Sequence, residues 1–256
     1  MSANPHPSRL PWLDPGDDFP EPQSAWGETD PLPGLLAAGG ALDVPTLLKA
    51  YTKGIFPWYS AGQPTLWWSP DPRMVLKPQA FKLHRSLRKT LKPLLATGRL
   101  EIRFDHGFRQ VMQACATSQR PGQNGTWIQP EMVQAYTALH SAGHAHSVET
   151  WIDGALVGGL YAVNIGHMVF GESMFSHRSD ASKIALAALV CFARAHGIGL
   201  IDCQQDTAHL QSLGGELVSR EDLLAHIERQ RHKAEPHWRF DPVYWNLFFP
   251  DHRFSA

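Results

Sequence analysis

Two kinds of periodicity in the apolar positions divide this chain into helices and strands. Apolar residues three and four apart are typical of helices, whereas apolar residues at every second position are typical of strands. Helices are predicted over 44–53, 82–95, 104–116, 130–141, 180–196, 208–213 and 221–231, and strands over 147–152, 155–163, 168–174 and 199–204. The predicted order is helices, then an antiparallel meander, and then a helix, a strand and a helix. This order indicates an α+β fold.

Local signals show where some of these elements start and stop. Asp43 can cap the first helix, Pro45 suits its first turn, and Gly54 follows its end. The dipeptide Asp153-Gly154 lies between two predicted strands and favours a two-residue hairpin turn. The sequence therefore predicts a capped early helix and a tight hairpin.

Changes in composition predict three segments along the chain. Residues 1–34 are rich in proline and acid and have no apolar period, so we expect an irregular lead on the surface. Residues 35–77 are expected to form a small N-terminal domain. The composition changes near Pro78, and residues 78–256 are expected to form a larger C-terminal domain.

The overall composition narrows the class of protein. Hydrophobic residues make up 43% of the 256 positions and charged residues 18%, which excludes a wholly disordered chain. No apolar run reaches the roughly 18 residues that span a bilayer, and no signal peptide is visible, so we expect no membrane and a cytoplasmic location. The cysteines Cys115, Cys191 and Cys203 have no C-x-x-C spacing, which predicts neither disulfides nor a cysteine zinc site.

Five short motifs point to one family: Gly54–Trp58, Trp67–Arg73, Ala145–Glu149, Gly171–Ser176 and Ile201–Gln204. They resemble the leucyl/phenylalanyl-tRNA-protein transferase family over roughly residues 34–224, and five motifs in order are more specific than one. The resemblance implies a C-terminal domain of the N-acetyltransferase-like (GNAT) fold. It also implies transfer of Leu, Phe or Met from aminoacyl-tRNA to proteins that begin with Lys or Arg, which marks those proteins for degradation.

Asp202 and Gln204 form the candidate catalytic pair. They lie at i and i+2 on a predicted strand, so both side chains project from one face and Cys203 from the other. The Gln204 carbonyl can accept a hydrogen bond from an attacking amine, and Asp202 can orient it. The alternative is that Asp202 only ties the strand end to a backbone amide, and strand position alone favours that alternative. The family motif favours the catalytic interpretation.

Glu172 is a candidate ligand for an ammonium group of either substrate. By strand alternation it shares one side with Phe170 and Met174, and a structural ion pair is an equally good interpretation. An apolar pocket for the aminoacyl group is expected around Leu160, Met174 and the helix that carries Leu189.

Three tryptophans are candidates for stacking on the terminal adenine of tRNA. Aromatic side chains stack on unpaired bases, and Trp67, Trp68 and Trp127 offer such surfaces. For any single tryptophan, packing between domains is the more common role.

A basic helix is predicted to bind the tRNA acceptor arm. Within 82–95, the basic residues Arg85, Arg88, Lys89 and Lys92 fall on one stripe. Leu83, Leu87, Leu91 and Leu94 fall on the opposite side. The alternative is a solvated surface helix, but no acid interrupts the basic stripe.

Neither a metal nor a cofactor is expected. His140, His144 and His146, near Glu149, have the loose spacing that makes weak evidence for a metal site. The turn 177–182 has no glycine to cradle the pyrophosphate of coenzyme A. An acyl-CoA-dependent N-acetyltransferase is the first rival function because the same fold would serve it, but this turn disfavours it. A non-catalytic RNA-binding module, supported by the basic stretch, is the second rival.

Overall fold

The computed structural model describes residues 10–118, 127–250 and 254. The strands are β1 (Trp12–Leu13), β2 (Leu35–Gly39), β3 (Phe56–Pro57), β4 (Leu66–Trp68), β5 (Arg73–Leu76), β6 (Leu100–Phe104), β7 (Ala145–Ile152), β8 (Ala155–Ile165), β9 (Met168–Ser176), β10 (Ile201–Gln204) and β11 (Glu216–Val218). The helices are α1 (Val44–Thr52), α2 (Arg85–Ala96), α3 (Phe108–Thr117), α4 (Pro130–Ser141), α5 (Ala181–Ala195), α6 (Ala208–Ser212) and α7 (Arg220–Gln230). None of these helices is long and apolar enough to cross a membrane.

Two sheets organise the described chain. The first has four strands in the order β1-β2-β4-β3, and the second has seven in the order β11-β5-β10-β9-β8-β7-β6. In the second sheet β6 to β9 are antiparallel neighbours, whereas β9 and β10 run parallel. The α+β class is confirmed, and the arrangement agrees with the N-acetyltransferase-like fold that the resemblance implied.

The local start and stop signals act as predicted. The Asp43 carboxylate accepts a hydrogen bond from the Thr46 amide at 2.9 Å at the start of α1. Asp153 and Gly154 both have positive φ, 54° and 77°, as the tight turn between β7 and β8 requires. Helix α4 also has the predicted bounds, which confirms this part of the pattern.

The chain before α3 differs from the prediction. A helix was expected over 104–116, but residues 100–104 form β6 and the helix begins at Phe108. The sequence of β6 alternates between apolar Leu100, Ile102 and Phe104 and the charged residues between them, as a strand with one buried face does. The prediction overlooked this short period and assigned Phe104 to the helix that follows.

The last strand of the segment 35–77 belongs to the larger sheet. Strand β5 lies within the segment 35–77, yet it pairs with β10 and β11 of the larger sheet. Its four residues are all buried, because it is an interior strand of that sheet. Strand β4 is the last strand of the smaller sheet along the chain, so the chain passes from one sheet to the other between Trp68 and Arg73. The domain boundary near Pro78 stays a prediction.

The acidic lead is more ordered than expected. Strand β1 pairs in parallel with β2, and Leu13 and Phe19 are buried in the same hydrophobic core as Trp67 and Tyr136. The exposed acid Asp18 pairs with Lys49 of α1, and the exposed acid Glu21 pairs with Lys53, directly after that helix. Isolated apolar residues between prolines give no period, and that is why the sequence pattern missed this packing.

The seven-stranded sheet separates two hydrophobic cores. Tyr161 and Val163 on β8 belong to the core that includes α3 and α4, whereas Leu160 and Ala162 belong to the core around α5. Eleven of the fifteen residues of α5 are buried. Each large apolar side chain in such a core contributes about 1.5 to 3 kcal/mol. The rigid sheet and α5 together hold the cavity described next.

Candidate active site

A cavity of about 290 Å³ lies where β9 and β10 stop pairing. The two strands pair only at Ile201 with Val169 and at Asp202 with Phe170, while β9 continues to Ser176. The cavity opens beside the unpaired part of β9. Its lining includes Trp58, Trp127, Leu160, Glu172, Met174, Leu186, Leu189, Ile201, Cys203, Gln204 and His209.

One end of this cavity is apolar. Leu160, Met174 and Leu189 all line it, together with Leu186 and Ile201. The side chains come from β8, β9, β10 and α5, so the sheet and its long buried helix shape this end jointly. The structure thus brings the three residues of the predicted aminoacyl pocket together, and their role in binding stays a prediction.

The other end of the cavity centres on the carboxylate of Glu172. Its Oε1 accepts hydrogen bonds from the Tyr51 hydroxyl at 2.6 Å and from Gln204 Nε2 at 2.8 Å. The Tyr136 hydroxyl is 3.4 Å from Oε2, and the two tyrosine hydroxyls contact each other. Sequence reasoning missed both tyrosines. A buried tyrosine hydroxyl needs a partner, and that need was the available signal.

Burial raises the pKa of Glu172 from its ordinary value of 4.5 to about 7, and the nearby Asp202 charge adds to the rise. The hydrogen bonds from Tyr51, Gln204 and Tyr136 oppose the rise, because they stabilise the ionised form. Near neutral pH this carboxyl group therefore exists both as an acid and as a base. A group in that state can exchange a proton with a bound substrate.

The substitution Glu172→Gln is expected to change how stability depends on pH. Between pH of about 4.5 and 7 the folded protein binds more protons at Glu172 than the unfolded chain, so its free energy of unfolding falls as pH rises through that window. Glutamine carries no such penalty. The variant should therefore gain roughly 1 to 3 kcal/mol over the wild type between pH 4 and pH 8. Urea unfolding across this range measures the gain, and a pH-independent difference would contradict it.

A β-bulge places Glu172 in the site. Ser173 pairs with Tyr161 and Gly171 pairs with Ala162, so Glu172 has no partner on β8. The expectation that Phe170, Glu172 and Met174 share one side is therefore wrong. Phe170 belongs to the core around α3 and α4, and Met174 packs on the core around α5. The extra residue shifts the alternation of the strand.

Asp202 does not line the cavity. Its carboxylate forms a bidentate ion pair with Arg73, at 2.9 Å to Nε and 2.7 Å to Nη2, and both side chains are buried. The Arg73 Nη1 also donates to the Gly54 carbonyl at 3.1 Å, and the guanidinium lies over the Phe56 ring. Arg73 thus encloses the Asp202 carboxylate, so Asp202 can act on a substrate in the cavity only through Gln204, and its catalytic role stays a prediction.

The backbone of Gln204 is held by Asp202. Asp202 Oδ1 accepts a hydrogen bond from the backbone amide of Gln204 at 2.8 Å. The register of the pairing between β10 and β5 shifts between these two residues. Gln204 has a φ of 64°, which few residues other than glycine adopt. The Gln204 side chain then reaches Glu172, while Cys203 also lines the cavity. Burial raises the pKa of the Cys203 thiol, so it stays protonated.

The tryptophans divide into core residues and cavity residues. Trp67 and Trp68 are buried, and their indole N–H groups donate to the carbonyls of Gly39 and Trp58 at 2.8 and 2.7 Å. Both rings are buried in the hydrophobic core that also includes residues of α3, α4 and β8, so neither presents a face to a base. Trp127, one of the three predicted tryptophans, lines the cavity. Trp58 lines it too, although it was not among the predicted site residues. The motif Gly54–Trp58 contained the signal for it.

The basic helix has the expected amphipathic character. Leu87, Leu91 and Leu94 are buried, while Arg85, Arg88, Lys89 and Lys92 are exposed. Helix α2 starts at Arg85, so the predicted residues 82–84, including Leu83, lie outside it. Arg88 differs from its neighbours, because it donates to the Phe248 carbonyl at 2.7 Å and lies over the Phe249 ring. Within the described ranges, Arg85, Lys89 and Lys92 make no ion pair or side-chain hydrogen bond.

The histidines near β7 form a hydrogen-bonded group. His140, His146 and Asp105 lie close enough together to hold a metal ion. However, Nδ1 of His140 contacts the Ala145 carbonyl at 2.7 Å, and Nδ1 of His146 contacts Asp105 at 2.7 Å. If Nδ1 donates in these contacts, the lone pair of each ring lies on Nε2, so the contacts by themselves do not decide whether a metal binds. They link α4, β7 and the Asp105 loop.

Comparison with known proteins matches the chain to one family of aminoacyltransferases. The family model for leucyl/phenylalanyl-tRNA protein transferase matches residues 75–228, and the model for the N-terminal domain of that family matches residues 40–71. The chain belongs to the leucyl/phenylalanyl-tRNA protein transferase family, and it is therefore an enzyme.

Curated relatives of that name match almost the whole chain. The relative from Polaromonas sp. is 62% identical and covers 93% of this chain and 94% of its own. The relative from Albidiferax ferrireducens is 58% identical with 96% of each chain covered, and that from Burkholderia pseudomallei is 55% identical with 91% of each covered. The shared segment includes every residue of the cavity.

Solved structures that match are remote. A crystal structure of FemX is 12% identical, with a TM-score of 0.43, and covers 72% of this chain and 70% of that chain. A structure of the aminoglycoside N-acetyltransferase AAC(6')-Iy is 15% identical, with a TM-score of 0.30, and covers 54% of this chain and 90% of that chain. Sequence identities and TM-scores this low support no conclusion about activity.

Proposed function

We propose that the chain transfers Leu, Phe or Met from aminoacyl-tRNA to the N-terminal amine of proteins that begin with Lys or Arg. The observation that carries the proposal is the contact between Gln204 and Glu172 at the polar end of a cavity whose other end is apolar. That arrangement places a hydrogen-bond acceptor and a proton acceptor beside a pocket that suits an apolar aminoacyl group. The tagged products would then be degraded, in the cytoplasm where charged tRNA is present.

The donor is an activated ester, so the enzyme needs no nucleophile of its own. The acceptor amine attacks the ester carbonyl carbon, the bond to the ribose oxygen breaks, and the amine proton finally resides on that oxygen. An α-amine has a pKa of about 7.7 to 8.0, so a useful fraction is neutral near pH 7. Correct alignment of the two reactants contributes several kcal/mol, up to about 7 to 11 in well-oriented systems.

Gln204 and Glu172 have complementary roles in the proposed reaction. Because Gln204 Nε2 donates to Glu172, its Oε1 stays available to accept a hydrogen bond from the attacking amine. Glu172, with a pKa of about 7, can take the amine proton as the new bond forms. The two tyrosines that bind Glu172 fix the direction of its carboxylate.

The two ends of the cavity support the proposed donor. Leu160, Met174 and Leu189 would surround the aminoacyl side chain, and unbranched apolar groups suit such a pocket. Such a pocket discriminates by about 1 to 3 kcal/mol per methylene. Trp58 and Trp127 would contact the terminal adenine, since aromatic side chains stack on unpaired bases.

Helix α2 supports a tRNA partner, with contacts that are expected to depend on salt. Changing Lys89 and Lys92 to Ala should weaken tRNA binding and flatten the slope of log affinity against log salt by about 1.5 to 2. The matched control changes Lys49 and Lys53, which pair with acids of the lead. Filter binding at several salt concentrations measures both variants. An unchanged slope in the α2 variant would show that this helix contacts only solvent.

The proposed function is tested by supplying labelled donors and peptides to the full chain. Leucine should pass from charged tRNA to a peptide that begins with Lys, but not to the same peptide with an acetylated N-terminus. Acetyl-CoA should give no product. Acetylation of the peptide by acetyl-CoA would favour the acyl-CoA rival, and tight tRNA binding without any product would favour the RNA-binding rival.

A further inference from the structure

A second cavity, of about 390 Å³, lies where β9 ends and α5 begins. Met174 lines both cavities, so the second adjoins the active-site cavity along β9. The reaction proposed above uses none of its other residues. Its polar lining consists of Thr117, Ser118, Ser176, His177 and Ser182.

These polar side chains offer both donors and acceptors to a ligand. The hydroxyls of Thr117, Ser118 and Ser176 donate to backbone carbonyls at 3.0, 2.8 and 2.7 Å, so their oxygens can accept hydrogen bonds. The Ser176 oxygen already accepts from the Ser182 amide at 3.3 Å and keeps one lone pair. The side chains of His177 and Ser182 form no hydrogen bond with the described residues, so both can donate. A ribose-phosphate unit matches this set, because its phosphate accepts and its 2′-hydroxyl donates.

The charges around the second cavity disfavour a cationic occupant. No carboxylate from the described residues lines it. Asp180, at the start of α5, binds the Lys183 ammonium at 3.0 Å and the Thr90 hydroxyl at 2.9 Å, so its charge is compensated. Among the residues that the structure describes, none therefore offers an anion in this cavity to the Lys or Arg side chain of an acceptor protein.

The position of the second cavity fits the path of an RNA strand. The bond between Thr90 and Asp180 joins α2 to the start of α5. Lys89 lies beside Thr90 on the basic helix, and Ser182 of the cavity lies two residues beyond Asp180. A tRNA that contacts α2 and places its terminal adenosine in the active-site cavity would pass its single strand through this region.

We infer that the second cavity binds the ribose-phosphate of the nucleotide that precedes the terminal adenosine of the donor tRNA. This inference rests on the proposed function. His177 and Ser182 donate to the phosphate, and the hydroxyl oxygens of Thr117, Ser118 and Ser176 accept from the ribose.

Short donors of increasing length isolate this contact. The donors are leucyl-adenosine and the leucyl ester of the dinucleotide cytidylyl-adenosine, and the measured quantity is the ratio of their kcat/KM values. The wild type should prefer the dinucleotide by about tenfold or more, as hydrogen bonds to a charged group predict. The double variant His177→Ala/Ser182→Ala should lose most of this preference. His232→Ala, an exposed histidine outside both cavities, should keep it.

Several results would overturn the inference. One is that the wild type shows no preference for the dinucleotide donor. Another is that the double variant lowers kcat/KM equally for both donors. A third is a double variant that raises only the KM of the peptide, which would assign the cavity to the acceptor. Calorimetric binding of the uncharged dinucleotide and of adenosine repeats the comparison without catalysis. If charged tRNA itself gives no product, the proposed function is wrong. The inference about the second cavity then depends on binding alone, and the dinucleotide should still bind more tightly to the wild type than to the double variant.

Discussion

Replacing Arg73 with Met is expected to lower the free energy of unfolding by about 3 to 5 kcal/mol. The substitution leaves the buried Asp202 carboxylate without a counter-ion, and an uncompensated buried charge costs that much. It also removes the bond from Arg73 to the Gly54 carbonyl, which links β5 to the segment that carries Trp58. Guanidinium or urea unfolding measures the loss.

A matched ion pair on the surface provides the control. Arg99 and Asp153 also form a bidentate pair, but both side chains are about half exposed. Arg99→Met should therefore cost far less than Arg73→Met, because exposed ion pairs contribute little. In a second control, Asp202→Asn in the Arg73→Met background should recover part of the lost stability. Equal losses in Arg73→Met and Arg99→Met would contradict the role assigned to the buried pair.

Removing the proton acceptor should have the largest effect on rate. Glu172→Gln is expected to lower kcat by about 10²- to 10⁴-fold, the usual contribution of a general base. In the wild type, kcat should rise with pH through about 7, because only the ionised carboxylate accepts a proton. The variant should lack this titration. Single-turnover transfer from charged tRNA, measured from pH 5.5 to 8.5, reports both quantities.

Gln204 supplies a companion test at the same site. Gln204→Ala should lower transfer but leave tRNA affinity nearly unchanged, because Gln204 is proposed to contact the acceptor amine. Gln211→Ala, an exposed glutamine outside the cavity, serves as the matched control. Full activity in both Glu172→Gln and Gln204→Ala would contradict the proposed chemistry.

Elements with strong local signals were predictable from the sequence. Asp43 caps α1, and Asp153-Gly154 forms the hairpin turn, because both depend on a few adjacent residues. Helix α4 has a regular apolar period and an initial proline. Strands β5 and β11 were not predicted, since their pairing depends on contacts between distant segments.

The candidate site was only partly predictable for the same physical reason. The carboxylate, the carboxamide and the apolar side chains of the cavity were each selected from sequence, but their arrangement depends on a bulge at Glu172 and a positive φ at Gln204. Neither feature has a local sequence signal. The choice between Trp58 and Trp67 depends on which ring is buried, and only tertiary packing decides that.

The central claim is that the cavity between β9 and β10 holds the aminoacyl end of the donor. A crystal structure with leucyl-adenosine joined by a stable amide tests it most directly. The leucine side chain should lie among Leu160, Met174 and Leu189, with its carbonyl beside Gln204 and its adenine against Trp58. Density for the ligand outside this cavity, or with the adenine in the apolar end, would contradict the account.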